Sequence, residues 1–308
     1  MRALVESLKQ TRQNNPHWKD IALGLFLFVT PHRFASGLMH FLTRCRFKPW
    51  KNWQMRWFIP RYHVNMDEVL DPNLNNYPNF NTFFTRELKP GVRPITEVAN
   101  GLACPADGAL YQLGDIEGDT LIEAKGHNFS LTTLLGGDAQ RAAPFVGGHY
   151  TTIYLSPKDY HRVHMPYTGV LSEMIHVPGR LYSVNPRTTR TIPGVFARNE
   201  RVVSIFETEY GPMAVILVGA MFVGSIETVW AGCLTDTPIY SPQVTRYNTE
   251  AEERVELKKG DELGRFNMGS TVILVFAKDR IKWENSLQTG QATQLGQLFG
   301  RLQNPDSP

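Results

Sequence analysis

The sequence predicts an α+β fold: a mainly antiparallel β core, barrel- or sandwich-like, with amphipathic, membrane-associated helices at the N-terminus. Three observations point there. Short β-type runs broken by Gly and Pro fill the chain from Ala103 onward, apolar and aromatic residues recur at helical spacing before Met66, and positive charge is gathered in that same N-terminal stretch. With 308 residues, 42% apolar and 20% charged, the composition is that of globular material able to bury a core, which excludes disorder as a general description.

The N-terminal region comes first. Residues 21–29 form an almost unbroken apolar run stopped by Pro31, well short of the ~20 residues needed to cross a bilayer. Phe34, Leu38, Phe41 and Leu42 then follow at helical spacing, and Trp50, Trp53, Trp57 and Phe58 repeat the pattern among Lys48, Lys51, Arg56 and Arg61. Aromatic and cationic residues interleaved on short helices suit the headgroup layer of an anionic membrane. The same stripes can also bury against the body of the protein or a second subunit. Up to Met66, eleven Lys and Arg stand against Glu6 and Asp20, so this region is +9; the whole chain is only +3, which leaves the remainder at −6. A basic arm on a slightly acidic body implies an anionic partner, either nucleic acid or membrane.

Residues 71–94, rich in Pro and Asn, read as a linker with one short helical piece over 80–88. They divide a basic helical region, 1–78, from a β-rich domain, 79–308. Within the second, strands are expected over 150–155, 169–177, 201–207, 213–218, 225–230 and 271–276. The runs 213–218 and 271–276 are continuously apolar and should be buried on both faces. The polar tail, 285–308, reads as a surface segment with weak helical character over 295–302, and there is no internal repeat. Cys45, Cys104 and Cys233 are odd in number and widely spaced, which indicates neither a disulfide framework nor a zinc knuckle but a reducing compartment. No cleavable secretory signal is evident, since the first apolar run begins only at Ile21 and no small-residue cleavage site follows it.

Three stretches carry chemical potential: Pro105-Ala106-Asp107-Gly108, Tyr160-His161-Arg162-Val163-His164-Met165-Pro166, and Gly269-Ser270-Thr271. Ser270 stands between a polar turn containing Gly264 and Asn267 and a buried apolar run, which puts a nucleophile at a strand edge just after a permissive glycine. Taken alone, it is a strand-opening serine. Ser156 as N-cap and Pro157 as first helical residue suggest one helical turn that would set His161 and His164 on the same side. Metal binding would need a third ligand, and Asp107, His127, His149 and His176 show no ligand spacing, so no metal is expected. Asp107 by default is a turn former. Together Ser270, His164 and Asp107 match the roles of nucleophile, base and orienting carboxylate.

With these motifs in view, the chain resembles the phosphatidylserine decarboxylase family, in its proteobacterial branch. The resemblance runs through Phe80-Asn81-Thr82-Phe83-Phe84-Thr85-Arg86, Lys89-Pro90-Gly91-Val92-Arg93-Pro94-Ile95, the Asp107 turn and Ala124-Lys125-Gly126-His127-Asn128-Phe129-Ser130-Leu131. It continues in Asp159 and the His161/His164 stretch, Phe196-Ala197-Arg198-Asn199-Glu200-Arg201, Val223-Gly224-Ser225-Ile226-Glu227-Thr228-Val229-Trp230-Ala231-Gly232 and Gly264-Arg265-Phe266-Asn267-Met268-Gly269-Ser270-Thr271. The family's processing motif usually has Leu where Met268 stands, an apolar swap of similar volume that should not impair cleavage.

The resemblance implies self-cleavage between Gly269 and Ser270 into a large chain, 1–269, and a small chain, 270–308, which stay associated. It implies a covalent pyruvoyl group derived from Ser270, which holds phosphatidylserine as a Schiff base and yields phosphatidylethanolamine and CO2. An acquired ketone is needed because no encoded side chain offers an electron sink. In the implied roles His164 takes the Ser270 proton, Asp107 orients His164, and His161 reprotonates the substrate Cα. The partner is then phosphatidylserine in an anionic membrane rather than nucleic acid. The working unit is a homodimer, and the location is the cytoplasmic face of a bacterial inner membrane. Two rivals differ in chemistry: a serine hydrolase using Ser270, His164 and Asp107 with its hydroxyl intact, and a non-enzymatic protein that binds anionic lipid through its basic helices.

Overall fold

The computed structural model describes residues 32–122, 128–184, 194–220, 225–234, 239–250, 254–267 and 270–304. The apolar run expected over 21–29 and the residue Gly269 lie outside them.

Among the described residues two helices come first, α1 (His32–Arg44) and α2 (Lys48–Tyr62), the second begun by Pro49 and ended where His63 turns left-handed at φ 55°. A five-residue helix, α3 (Phe80–Phe84), follows, capped by the Asn79 side chain, which accepts from Thr82 N at 2.9 Å. It stops short of the 80–88 expected. Residues 87–89 instead pair with 68–70 through Leu70 N to Glu87 O and Lys89 N to Glu68 O, with a bridge between Val69 and Leu88. The aromatic stripe of α2 divides. Phe58 and Met55 turn inward to a cluster with Phe80, Phe83 and Phe84, while Trp53 and Trp57 stay more than half exposed. One apolar cluster therefore holds residues on both sides of position 79.

The strands are β1 (Gly101–Ala103), β2 (Gly108–Glu117), β3 (Thr120–Ile122), β4 (Asn128–Ser130), β5 (His149–Leu155), β6 (Arg162–His164), β7 (Gly169–Val177), β8 (Arg201–Thr208) and β9 (Gly211–Gly219). Then come β10 (Ile226–Thr228), β11 (Gly232–Cys233), β12 (Gln243–Arg246), β13 (Glu256–Leu257), β14 (Glu262–Phe266), β15 (Ser270–Phe276), β16 (Ile281–Trp283), β17 (Ala292–Thr293) and β18 (Leu298–Leu302). The large sheet runs β12-β7-β8-β9-β15-β5-β2-β3-β4, with every neighbouring pair antiparallel. Off that path β13 pairs with β7 and β17 with β2, and the other described strands form two small sheets, β11-β10-β14-β6 and β1-β18-β16.

Alternation along β15 explains its unbroken apolarity. Val272, Leu274 and Phe276 enter one core with residues of the small sheets such as Val163, Leu263, Phe266 and Phe299, whereas Ile273 and Val275 enter a second core. That second core is roofed by short helices α4 (Leu131–Leu134), α5 (Ala139–Ala142) and α6 (Val195–Arg198). A strand buried on both faces has no polar side. The structure thus bears out a mostly antiparallel α+β architecture.

Two local expectations give way. The tail does not take the weak helical character expected over 295–302: Leu298–Leu302 forms β18 between β1 and β16, with Phe299 fully buried, because both neighbouring strands take up its backbone hydrogen bonds. The segment after Leu155 is not a helical turn either. Ser156 N and Oγ both bond Asp159 Oδ2 at 2.7 Å, an arrangement that closes a tight turn and sends the chain back as β6.

Candidate functional site

Strand register decides which ends of the chain meet. Ser270 opens β15 opposite Leu155, the last residue of β5, and opposite Gly219, the last residue of β9. Ala109 near the start of β2 pairs with Tyr154 of β5. The entrances to β2 and β15 and the exits of β5 and β9 therefore lie at one edge of the sheet. Asp107 immediately precedes β2, and His161 and His164 follow the turn beyond Leu155, so Asp107, His161, His164 and the Ser270 backbone are delivered to the same edge. The backbone ties them further: His164 N donates to Pro105 O at 2.8 Å, and Phe266 N to His161 O at 3.0 Å. Gly264, expected in a polar turn, belongs to β14 instead, and Asn267 after it is buried.

His164 is held as a proton acceptor. Its Nδ1 lies 2.8 Å from the Gly260 carbonyl, which can only accept, so Nδ1 carries the hydrogen and Nε2 the lone pair, toward which the Tyr160 hydroxyl points at 3.2 Å. Burial lowers its pKa from the usual value, against opposing contributions from the Gly260 bond and the Glu262 charge. Gly260 takes φ 91°, and a Cβ there would stand 2.9 Å from Ile95. A glycine is what lets that carbonyl face the ring.

His161 is wholly buried, its ring 4.1 Å from that of Phe84. Its Nδ1 donates to Asp159 O at 2.8 Å, and Nε2 has no partner among the described residues. Burial, with a smaller push from the Arg86 charge, takes its pKa down to about 3. Arg86 is itself a buried cation whose pKa burial lowers, with Nη2 on Lys158 O at 2.9 Å.

Asp107 does not take the place the triad analogy gives it. Arg93 grips its carboxylate, Nε at 3.0 and 3.1 Å from the two oxygens and Nη2 at 2.7 Å, and Leu295 N adds a bond of 2.8 Å. The orienting bond to His164 comes from Gly260 instead. Asp107 reaches His164 through its field, which raises that histidine's pKa. Arg93 also pairs with Glu68 at 2.8 Å, and burial of the guanidinium is more than offset by these two carboxylates, which raise its pKa. Sequence reasoning gave Arg93, Tyr160 and Gly260 no role. Arg93 and Tyr160 lay inside the quoted motifs, but Gly260 contributes only a carbonyl, which leaves no mark in the sequence.

Among the described residues no group of three or more His, Cys, Asp or Glu is placed to hold a metal ion. Chemically, the edge offers a strand-opening serine, an imidazole whose Nε2 accepts from the Tyr160 hydroxyl, and a second, drier imidazole with its Nε2 unpartnered among the described residues.

A family model described as phosphatidylserine decarboxylase matches residues 80–301, and one described as PSD matches 24–63. Proteins named phosphatidylserine decarboxylase proenzyme are similar along most of the chain. That of Ectopseudomonas mendocina is 52% identical over 276 residues, covering 90% of this chain and 96% of its own. That of Pseudomonas putida strain GB-1 is 53% identical over 272 residues, covering 88% and 94%. That of Marinobacter nauticus is 50% identical over 284 residues, covering 92% and 98%.

Proposed function

The chain belongs to the phosphatidylserine decarboxylase family, and from that membership we propose that it is a proenzyme that cuts itself before Ser270 and then converts phosphatidylserine to phosphatidylethanolamine and CO2. The observation that carries the residue roles is the meeting of Asp107, His161, His164 and the first residue of β15 at one sheet edge.

For self-cleavage, His164 Nε2 takes the Ser270 hydroxyl proton while Oγ attacks the Gly269 carbonyl, and the C–N bond gives way to an ester as the amine is protonated. Loss of the Ser270 Cα proton then breaks the Cβ–Oγ bond. This frees a carboxylate at Gly269 and leaves an unsaturated residue that water converts to a ketone with release of ammonia. Asp107, fixed by Arg93, keeps a negative charge near His164 and favours its protonated form during the transfer.

A pyruvoyl group at position 270 supplies a carbonyl that captures the substrate amine and a sink for the electrons left by CO2. The edge suits such a group, since Thr271 Oγ1 and His161 Nε2 are buried polar atoms without partners among the described residues. His161, neutral with an open Nε2, is assigned the return of a proton to Cα after CO2 departs. Burial of His161 against Phe84 keeps water from that proton.

Membrane docking is proposed through α1 and α2, where Leu38, Phe41, Phe47, Trp53 and Trp57 are half or more exposed on a basic region. No described helix is long and apolar enough to span a bilayer. The surface proposed is the cytoplasmic face of the bacterial inner membrane, and the working unit a homodimer, which native mass measurement checks.

Intact mass spectrometry under denaturing conditions tests the central step. The wild type should give two chains, the smaller beginning with a ketone instead of an amine, and Ser270→Ala should give one uncut chain. A cut Ser270→Ala protein refutes the reading. A single chain that reacts with a fluorophosphonate favours a serine hydrolase, and vesicle binding without CO2 release favours a lipid-binding protein.

A further inference from the structure

We propose that Asn267 is a positioning residue for self-cleavage, fixed by a hydrogen-bond chain that starts on α1 and ends on α3. The proposal rests on the self-cleavage reading above and adds a residue to which neither the motifs nor the triad analogy gave a role.

Arg44 Nη2, at the C-terminal end of α1, donates to Ser225 Oγ at 3.2 Å. Asn267 Nδ2 donates to the same oxygen at 2.5 Å, and Asn267 Oδ1 accepts from Asn81 Nδ2 of α3 at 2.8 Å. The Asn267 backbone N–H also donates to Ser225 O at 2.9 Å. Asn267 is 3% exposed and Ser225 1%. A turn asparagine at the surface would find its partners in water. This one is dry and is gripped on both ends of its amide by two segments far away in sequence.

Its place in the chain gives the grip a purpose. Asn267 stands two residues before Gly269 and three before Ser270. On the far side, the Ser270 backbone is paired with both Leu155 and Gly219. The scissile bond thus lies between one residue locked into a side-chain network and another whose backbone is paired in the central sheet. Intramolecular attack by Oγ on the preceding carbonyl depends steeply on how those atoms are presented. Fixing Asn267 and the Ser270 backbone sets the points from which those atoms are presented.

Had the amide merely filled a core position, an apolar isostere would serve as well. A positioning amide is distinguished by which replacement restores it. Asp can accept from both Asn81 Nδ2 and the Ser225 hydroxyl, with Arg44 near to balance its charge, whereas Leu keeps the volume and loses both bonds.

The experiment follows newly synthesised full-length precursor through a pulse and chase, with melting of the purified chains in parallel. Asn267→Ala and Asn267→Leu should slow cleavage by roughly tenfold or more, Asn267→Leu while melting close to the wild type, and Asn267→Asp should cleave within about threefold of the wild-type rate. Wild-type cleavage rates in both Asn267→Ala and Asn267→Leu overturn the inference and leave the family reading intact. A wild-type chain that never cuts brings down the self-cleavage reading itself. Should the position 267 variants fail to melt cooperatively, Ser225→Ala, which removes the shared oxygen of the chain, decides by the same criterion.

Discussion

Arg93 holds Asp107 with three N–H···O contacts of 2.7 to 3.1 Å, its Nε and Nη2 both turned to the one carboxylate. Both side chains are largely buried, at 11% and 12% exposure. Arg93→Ala therefore strands a carboxylate away from water, with an expected loss of about 3–5 kcal/mol of stability. Self-cleavage should slow as well, because the charge near His164 loses its fixed position. Arg93→Lys keeps the charge but not the planar fork and should fall between the two. Urea unfolding of the uncut precursors checks the order, and an Arg93→Ala midpoint equal to the wild type contradicts it.

The His164 imidazole makes a prediction about pH. The proposed base must be neutral, and burial places its pKa below the ordinary 6.5. Cleavage of the precursor should then be level through neutrality and decline only in acid, with a midpoint under 6.5. The sign is fixed, since a depressed pKa extends the range of the unprotonated form downward. Rates from quenched time courses between pH 4.5 and 8 give the profile. A decline centred at or above 6.5 rules out His164 in this environment as the base.

The cut itself should not release the small chain. β15 is an inner strand, seven residues of which pair with β5 on one side and β9 on the other, and β18 of the same chain bonds β1 and β16. After cleavage these contacts persist and only one peptide bond is gone. Size-exclusion chromatography of cleaved protein should show both chains in one peak, separating only in denaturant. Phe299→Ala, at a fully buried position, should lower stability by about 3–5 kcal/mol without dislodging the small chain. Elution of the small chain by itself under native conditions contradicts the register.

How much of this was legible in the sequence depends on how local the cause is. β7 was expected over 169–177 and is found at those bounds, because alternation and flanking turns act within a few residues. β9 and β15 were legible as doubly buried because their apolarity is unbroken. β18 was missed since five residues with Gly and Arg among them carry a weak pattern, and its strand state comes from β1, some two hundred residues away. The histidine turn was misread for a similar reason: Pro157 after Ser156 suits a helix start, but the Asp159 carboxylate takes both donors of Ser156 and closes a different turn. Likewise Asp107, His161 and His164 stand out in the sequence by residue type as candidates. Their partners Arg93, Asp159 O and Gly260 O depended on tertiary packing and on backbone carbonyls.

His161 joins the fold's acid sensitivity to its chemistry. Folded, it is neutral with a pKa near 3; unfolded, it titrates near the ordinary 6.5. Between those values the unfolded chain binds the extra proton, so the stability due to this group is complete above pH 6.5 and shrinks as pH falls toward 3. From pH 7 to 5 the loss is about 2 kcal/mol. His161→Gln removes the titration, so its stability should change less than the wild type's over that interval, as paired urea unfolding curves at pH 7 and 5 can show. The same substitution speaks to mechanism. Cleavage does not need the proton relay assigned to His161, so His161→Gln should still yield two chains. Decarboxylation does need it, and CO2 release per cleaved chain should drop by about 10²–10⁴-fold. A variant that loses the pH term yet decarboxylates at the wild-type rate would leave His161 as a buried structural ring against Phe84, with the Cα proton coming from elsewhere.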